Sequence, residues 1–302
     1  MSRTFTGAQG NRLVASEIGK AGPPVLLLHG GGQTRHAWSR TARDLAGQGW
    51  HAVTLDQRGH GDSDWSPDKA YSFLDFAADA AMVAGQIERE QGRKPVAIGA
   101  SLGGIASLLA LGAPGEPAFA GLILVDIVPK MDPGGVAHVQ GFMRARAADG
   151  FSSIEDAAEA VAAYLPHRPR PPSLDGLKKN LRLHPDGRWR WHWDPAFLDG
   201  PRSVNTDWEV VERRMLAASR SLRIPTLLVR GGSSELVTPE AAAEFLGMAR
   251  DAEYVDVAEA RHMVAGDRND VFAAAILAFL SKRFGSREGP PASPVGSAGS
   301  PR

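Results

Sequence analysis

Pro95-Val96-Ala97-Ile98-Gly99-Ala100 followed directly by Ser101-Leu102-Gly103-Gly104 is the stretch on which the fold turns. A six-residue apolar run carrying Val96 and Ile98 reads as a strand buried on both faces. The glycine-flanked serine then reads as a tight turn, and Leu102–Leu111 as a helix. Four more runs of the same kind lie on either side. They are Pro24–His29, His51–Asp56, Gly121–Ile127 and Ile224–Arg230, with a last strand over Ala252–Ala258. Helical segments, notably Phe73–Arg89 and Leu102–Leu111, fall between the first four. Strands alternating with helices predict an α/β fold built on a parallel sheet with helices on both faces.

The rhythm stops after Pro129. To about Leu222 the sequence shows no strand-like run. It carries Ala-rich helical patterns (Val136–Ala148, Ile154–Tyr164), the stretch HRPRPP (167–172) and the segment RWRWHWDP (188–195). Four of the seven tryptophans fall here, at 189, 191, 193 and 208. An insertion of this kind is expected to lie as a lid over the carboxyl ends of the strands, where open α/β sheets bind ligands. The expected division is a core over 1–130 and 222–284, a helical cap over 131–221, and a disordered tail over 285–302, GSREGPPASPVGSAGSPR.

Lys+Arg and Asp+Glu stand at 34 each, so no charge excess draws the chain to nucleic acid or to an anionic membrane. A small molecule is the expected partner, and the sequence leaves room for a homodimer. There is no cysteine, which excludes disulfides, thiolate metal sites and a cysteine nucleophile. The start, MSRTFTGAQGNR, lacks an apolar stretch of signal-peptide length, and no segment approaches about 18 apolar residues, so a cytoplasmic protein is expected. H-E-x-x-H, a P-loop and a dinucleotide fingerprint are all missing, so no metal and no cofactor are expected.

Gly99-Ala100-Ser101-Leu102-Gly103 matches G-x-S-x-G between a strand and a helix, the setting in which a serine hydroxyl is presented on a strained turn at a helix N-terminus. A serine needs a base. Of nine histidines, only His262 lies beyond the last strand, in EARHMVAGDRND (259–270), where the order nucleophile, acid, histidine places it. The third member is a carboxylate that fixes the imidazole. Glu235, in GGSSELVTPE after the strand Ile224–Arg230, is favoured by chain order; Asp126, ending the strand GLILVDI, is the alternative. Backbone N–H groups of Leu102 and of Gly31, in the turn after His29, are the expected oxyanion donors. Trp189, Trp191 and Trp193 are candidates for an apolar or aromatic pocket wall.

Four motifs in order, LLLHGGG (26–32), LDQRGHGDSDW (55–65), GASLGG (99–104), and RGGSSELVTPE (230–240) with ARHMVAGDRND (260–270), resemble the α/β-hydrolase family over roughly residues 25–284. The resemblance implies an eight-stranded, mostly parallel sheet, a helical cap after the sixth strand, and a Ser–His–acid triad. It also implies that the loop Asp56–Ser63 is structural. The family's acid position after the seventh strand usually holds aspartate and here holds Glu235. Some relatives, lactone-cleaving enzymes among them, place the acid after the sixth strand, which keeps Asp126 open. Dehalogenating and epoxide-opening relatives use an aspartate nucleophile where Ser101 stands, which argues against both activities. The expected reaction is hydrolysis of a small carboxylic ester through an acyl-enzyme. Lactone cleavage, carbon–carbon bond hydrolysis and acyl transfer to peroxide are alternatives on the same residues. A non-catalytic small-molecule receptor is the rival from another class.

Overall fold

The computed structural model describes residues 1–302 apart from 169, 171, 172, 268 and 286–302; all but the first residue of the expected tail therefore lie outside the described residues. The strands are β1 (Ser2–Thr6), β2 (Arg12–Ile18), β3 (Pro24–Leu28), β4 (His51–Leu55), β5 (Val96–Ala100), β6 (Gly121–Val125), β7 (Leu181–Leu183), β8 (Trp189–Trp191), β9 (Thr226–Gly231) and β10 (Glu253–Val257). The helices are α1 (Ser39–Gly47), α2 (Phe73–Gln91), α3 (Leu102–Leu111), α4 (Pro133–Arg144), α5 (Ile154–Tyr164), α6 (Asp175–Lys178), α7 (Ala196–Asp199), α8 (Trp208–Ser221), α9 (Pro239–Met248), α10 (Val264–Asp267) and α11 (Asn269–Phe284). Among the described residues no helix is long and apolar enough to cross a membrane.

Eight strands form one sheet in the order β1-β2-β4-β3-β5-β6-β9-β10. The β1–β2 and β2–β4 pairs are antiparallel, and every other pair is parallel. The fold is that of the α/β hydrolases. The apolar runs are continuous because both faces of the central strands are covered. Leu26, Leu28, Ala97, Leu122 and Leu124 pack on one face with α2 and α3. Val25, Leu27, Val96, Ile98, Ile123 and Val125 pack on the other with α1 and α11. Each such Val, Leu or Ile side chain contributes about 1.5–3 kcal/mol by leaving water, which anchors the sheet that carries the loops. α2 starts at a reciprocal cap in which Ser72 and Asp75 bond each other's backbone N–H, and it stops at Gly92 with φ 69°.

Two hairpins were not foreseen. β1 and β2 precede the first expected strand; their alternation is short, and β1 buries one residue, Phe5. Within the inserted segment β7 and β8 pair antiparallel, Leu181 opposite Trp191, around the turn Pro185-Asp186-Gly187. The reading of that segment as strand-free is therefore corrected. Three-residue strands with exposed Arg182 and Leu183 carry too little apolar pattern to register, although the Asp-Gly pair was itself a turn signal.

Parallel strands deliver their carboxyl ends to one edge of the sheet. There β3 feeds the turn His29–Gly32, β5 feeds Ser101, β6 feeds Asp126, β9 feeds 232–235, and β10 is followed by His262.

Candidate active site

Ser101 joins β5 to α3 at φ 46°, ψ −112°, a conformation that costs an L-residue of order 1–3 kcal/mol. The packing around it leaves no alternative. A Cβ on Gly103 would sit 2.3 Å from Leu28 O, and one on Gly99 would sit 2.4 Å from Gly103 O. Without side chains at these two positions α3 can lie against β3 and β5 while the serine is pushed out at the top of the turn. Asp126, one residue past the Ala100–Val125 pairing, is also left-handed, at φ 51°. Two strained non-glycine residues thus stand side by side at neighbouring strand ends, a concentration of strain that usually marks a functional site.

His262 Nδ1 donates to Asp126 Oδ2 at 2.8 Å. The same carboxylate is fully buried, and it also accepts from the Gly231 N–H at 3.0 Å and from Ser234 Oγ at 2.5 Å. Ser234 Oγ is itself fixed by the N–H groups of Leu236 and Val237, both at 3.1 Å. A carboxylate carrying three hydrogen bonds is held in one orientation. With Nδ1–H committed to it, His262 presents the bare Nε2 as a base.

Glu235, which chain order favours as the acid, is not the partner of His262. Its Oε2 is buried without a hydrogen bond, and its charge falls on Tyr164 of α5, whose hydroxyl burial and then Glu235 push up to about 12. The physical reason is adjacency. β6 and β9 are paired neighbours, Val125 opposite Val229, so an acid after either strand reaches the same imidazole. Here Asp126 occupies that place, and the β9 loop supplies Ser234 instead. Sequence reasoning missed Ser234; its signal was no more than a serine beside the expected acid.

The His29–Gly32 turn presents one free donor by elimination. Gly30 N–H donates to Gln33 Oε1 at 3.1 Å and Gly32 N–H to His60 Nε2 at 3.1 Å. Among the described residues the N–H groups of Gly31 and Leu102 have no acceptor. A Cβ on Gly30 would come 3.6 Å from Ser101 Cβ, so this turn lies against the serine. Two backbone donors left open beside a strained serine suit the charge of a tetrahedral oxyanion.

The turn is braced by two histidines that the sequence reading gave no chemical role. His29 Nε2 accepts from Gln57 N–H at 3.1 Å while its Nδ1 donates to Gly30 O at 2.8 Å. His60 Nδ1 donates to Arg58 O at 2.9 Å. Backbone N–H groups pointing at both Nε2 atoms fix both rings as neutral Nδ1–H tautomers. Burial, opposed by the Gly30 bond and abetted by Arg35, lowers the His29 pKa to about 4; burial and then His29 lower that of His60 to about 3. Elsewhere in the Asp56–Ser63 loop the side chains are tied into the core. Buried Asp56 accepts from the Arg35 guanidinium and from Asp62 N–H, and Arg58 grips Asp79 with two bonds of 2.7 Å.

The tryptophans divide. Trp193 is buried, and its Nε1 lies 3.6 Å from where a Cβ on Gly32 would be. Trp189 and Trp191 instead form the packing of the β7–β8 hairpin against Phe151, Trp191 meeting that ring edge-on at 5.1 Å. Beside Trp193, the side chains over the His29–Gly32 turn are Met143 of α4 and Phe197 of α7, 3.6 and 3.1 Å from a Cβ position on Gly31. Neither has a sequence signal. A cavity of about 580 Å³ opens between α4 and α5, lined by His138, Phe142, Arg146, Phe151, Tyr164 and small residues; Ser101, His262 and Gly31 do not line it.

A family model described as serine aminopeptidase, S33, matches residues 20–269. An esterase of Mycobacterium tuberculosis is 30% identical over 290 residues, covering 91% of this chain and 88% of that protein. A 2-(acetamidomethylene)succinate hydrolase of Mesorhizobium japonicum is 28% identical, covering 86% and 88%. The crystal structure of an α/β hydrolase from Novosphingobium aromaticivorans superposes with a TM-score of 0.77 at 26% identity, over 94% of this chain and 98% of that one.

Proposed function

We propose, for a chain that belongs to the serine aminopeptidase S33 family of α/β hydrolases, that it hydrolyses a small carboxylic ester with an apolar or aromatic group, through an acyl-enzyme on Ser101. The observation that carries this reading is the 2.8 Å bond from His262 Nδ1 to the buried Asp126. Ser101 Oγ attacks the ester carbonyl as His262 Nε2 takes its proton, and Asp126 stabilises the imidazolium that results. The N–H groups of Gly31 and Leu102 receive the oxyanion. His262 then protonates the leaving alkoxide. A water activated by the same nitrogen attacks the acyl carbonyl, and collapse of the second oxyanion frees the acid and Ser101. Support for an apolar group comes from Met143, Trp193 and Phe197 beside the oxyanion turn. The 30%-identical relative is named an esterase, which supports an ester-bond hydrolase.

The test is labelling with a fluorophosphonate followed by intact-mass measurement. One adduct on the wild type, absent in Ser101→Ala and slowed more than a hundredfold in His262→Ala, is expected. Folded wild type that takes no label and turns over no p-nitrophenyl ester overturns the reading and leaves a binding protein of the same fold.

A further inference from the structure

A second pocket, of about 190 Å³, lies at the seam between the sheet core and the inserted segment, and neither Ser101, His262, Asp126 nor Gly31 lines it. Arg35 and His36 enter it from the core; Lys178, Lys179, Arg182 and His192 enter it from the insertion. Two carboxylates share the lining, Asp56 and Asp62, and both are already committed. Asp56 is held by Arg35, and Asp62 accepts from Arg35 Nη1 at 2.8 Å and Arg182 Nη2 at 2.5 Å. Four cations against two carboxylates leave a surplus. Lys178 has a partner at 3.3 Å in exposed Asp175, whereas Lys179 has no carboxylate within ion-pair distance among the described residues. His192 adds a second and independent mark: its Nδ1 is buried and has no hydrogen-bond partner. Native interiors seldom leave a ring nitrogen so.

We infer that this seam pocket binds a small oxyanion, the carboxylate or phosphate group of a low-molecular-weight compound, between Lys179 and His192 on the insertion and Arg35 on the core. The walls supply donors in excess, and an oxyanion is the ligand made of acceptors alone. The proposal stands on the seam and is independent of the ester-hydrolase reading. Its consequence follows from the bonds around it. Gly61 N–H donates to His192 O at 2.8 Å, and the neighbouring His60 accepts from Gly32. An anion joining His192 to Arg35 therefore ties the insertion to the loop that braces the oxyanion turn.

The experiment titrates inorganic phosphate and succinate, separately and in low chloride, into the full-length protein at pH 7, by calorimetry and by ¹⁵N spectra of the histidine rings. Saturable one-to-one binding of one of them is expected, moving the His192 Nδ1 resonance and weakened at least tenfold by Lys179→Glu. The same charge change at exposed Lys20 leaves the affinity within twofold. Lys179→Glu without anion keeps the wild-type thermal midpoint, because its side chain is exposed and has no ion-pair partner among the described residues. Tighter phosphate identifies a phosphate-bearing ligand; tighter succinate identifies a carboxylate. The inference is overturned if neither anion saturates the protein, if Lys179→Glu binds as well as wild type, or if the perturbed rings exclude His192.

Discussion

Replacing Asp126 by Asn tests the assignment of the acid at a single pair of atoms. Oδ2 of Asp126 receives two donors, Ser234 Oγ at 2.5 Å and His262 Nδ1 at 2.8 Å, and Oδ1 receives Gly231 N–H at 3.0 Å. An amide keeps one acceptor. With its oxygen toward Gly231, the new NH₂ faces Nδ1, so the imidazole must shed that hydrogen and carry it on Nε2, where it cannot accept from Ser101. Turned the other way, the NH₂ opposes the Gly231 N–H inside a fully buried site. Tautomer reversal of this kind costs about 10³–10⁴ in kcat, or about 4–5.5 kcal/mol of barrier. Glu235→Gln changes a carboxylate that does not bond His262 and whose Oε2 has no hydrogen-bond partner, and kcat/KM is expected to stay within about threefold, under about 1 kcal/mol. Initial rates on p-nitrophenyl butyrate, with circular dichroism confirming that each variant is folded, decide between them. Asp126→Asn with a third of wild-type activity, beside Glu235→Gln with less than a hundredth, refutes the argument.

Ser234→Ala frees Asp126 from one of its three bonds, and kcat is expected to fall about tenfold with KM unchanged, since the hydroxyl meets Asp126 and not substrate; an unaltered kcat removes Ser234 from the site. Acid is expected to destabilise the fold through His29 and His60. The unfolded chain takes up their protons near pH 6.5, whereas the folded chain refuses them until about pH 4 and about pH 3. The stability they contribute is whole above pH 6.5 and drains as the pH falls, by about 2 kcal/mol each at pH 5. A urea midpoint no lower at pH 5 than at pH 7.5 contradicts this. Gly103→Ala drives a methyl into Leu28 O and is expected to lose about 3 kcal/mol of stability, read from the same midpoint. Gly47→Ala, where a Cβ meets nothing within 4 Å, is expected to be neutral or stabilising, so equal losses in both discredit the close-approach argument.

Legibility followed burial. Of the strands that were read, β3 to β6 and β9 are buried on both faces and so carry unbroken apolar runs, whereas β10, also read, is half-exposed. β1, β2, β7 and β8 are short or half-exposed, and their sequences give pairing no signal that a loop would not give. The serine turn and the His29–Gly32 turn could be read because close backbone contact dictates glycine there. The acid could not be settled, because chain order records which loop comes next along the chain and not which neighbouring strand end lies nearer the imidazole.

The insertion was the least legible for a geometrical reason. Met143, Trp193 and Phe197 meet over Gly31 and Gly32 from three separate segments. The repeated tryptophans of RWRWHWDP point to different places because β8 ends between them. Trp191 is inside the hairpin pairing and packs on Phe151; Trp193, two residues on, has left the strand and bridges His60. That bridge lies among the bonds that hold the oxyanion turn, with Gly61 bound to His192 O and Gly59 O accepting from Asp194 N–H. The seam that would shape a substrate pocket is therefore the same seam that fixes the backbone proposed to hold the oxyanion. A substitution in this part of the insertion acts on both at once, so its effects on substrate preference and on rate have to be separated by measuring KM and kcat apart.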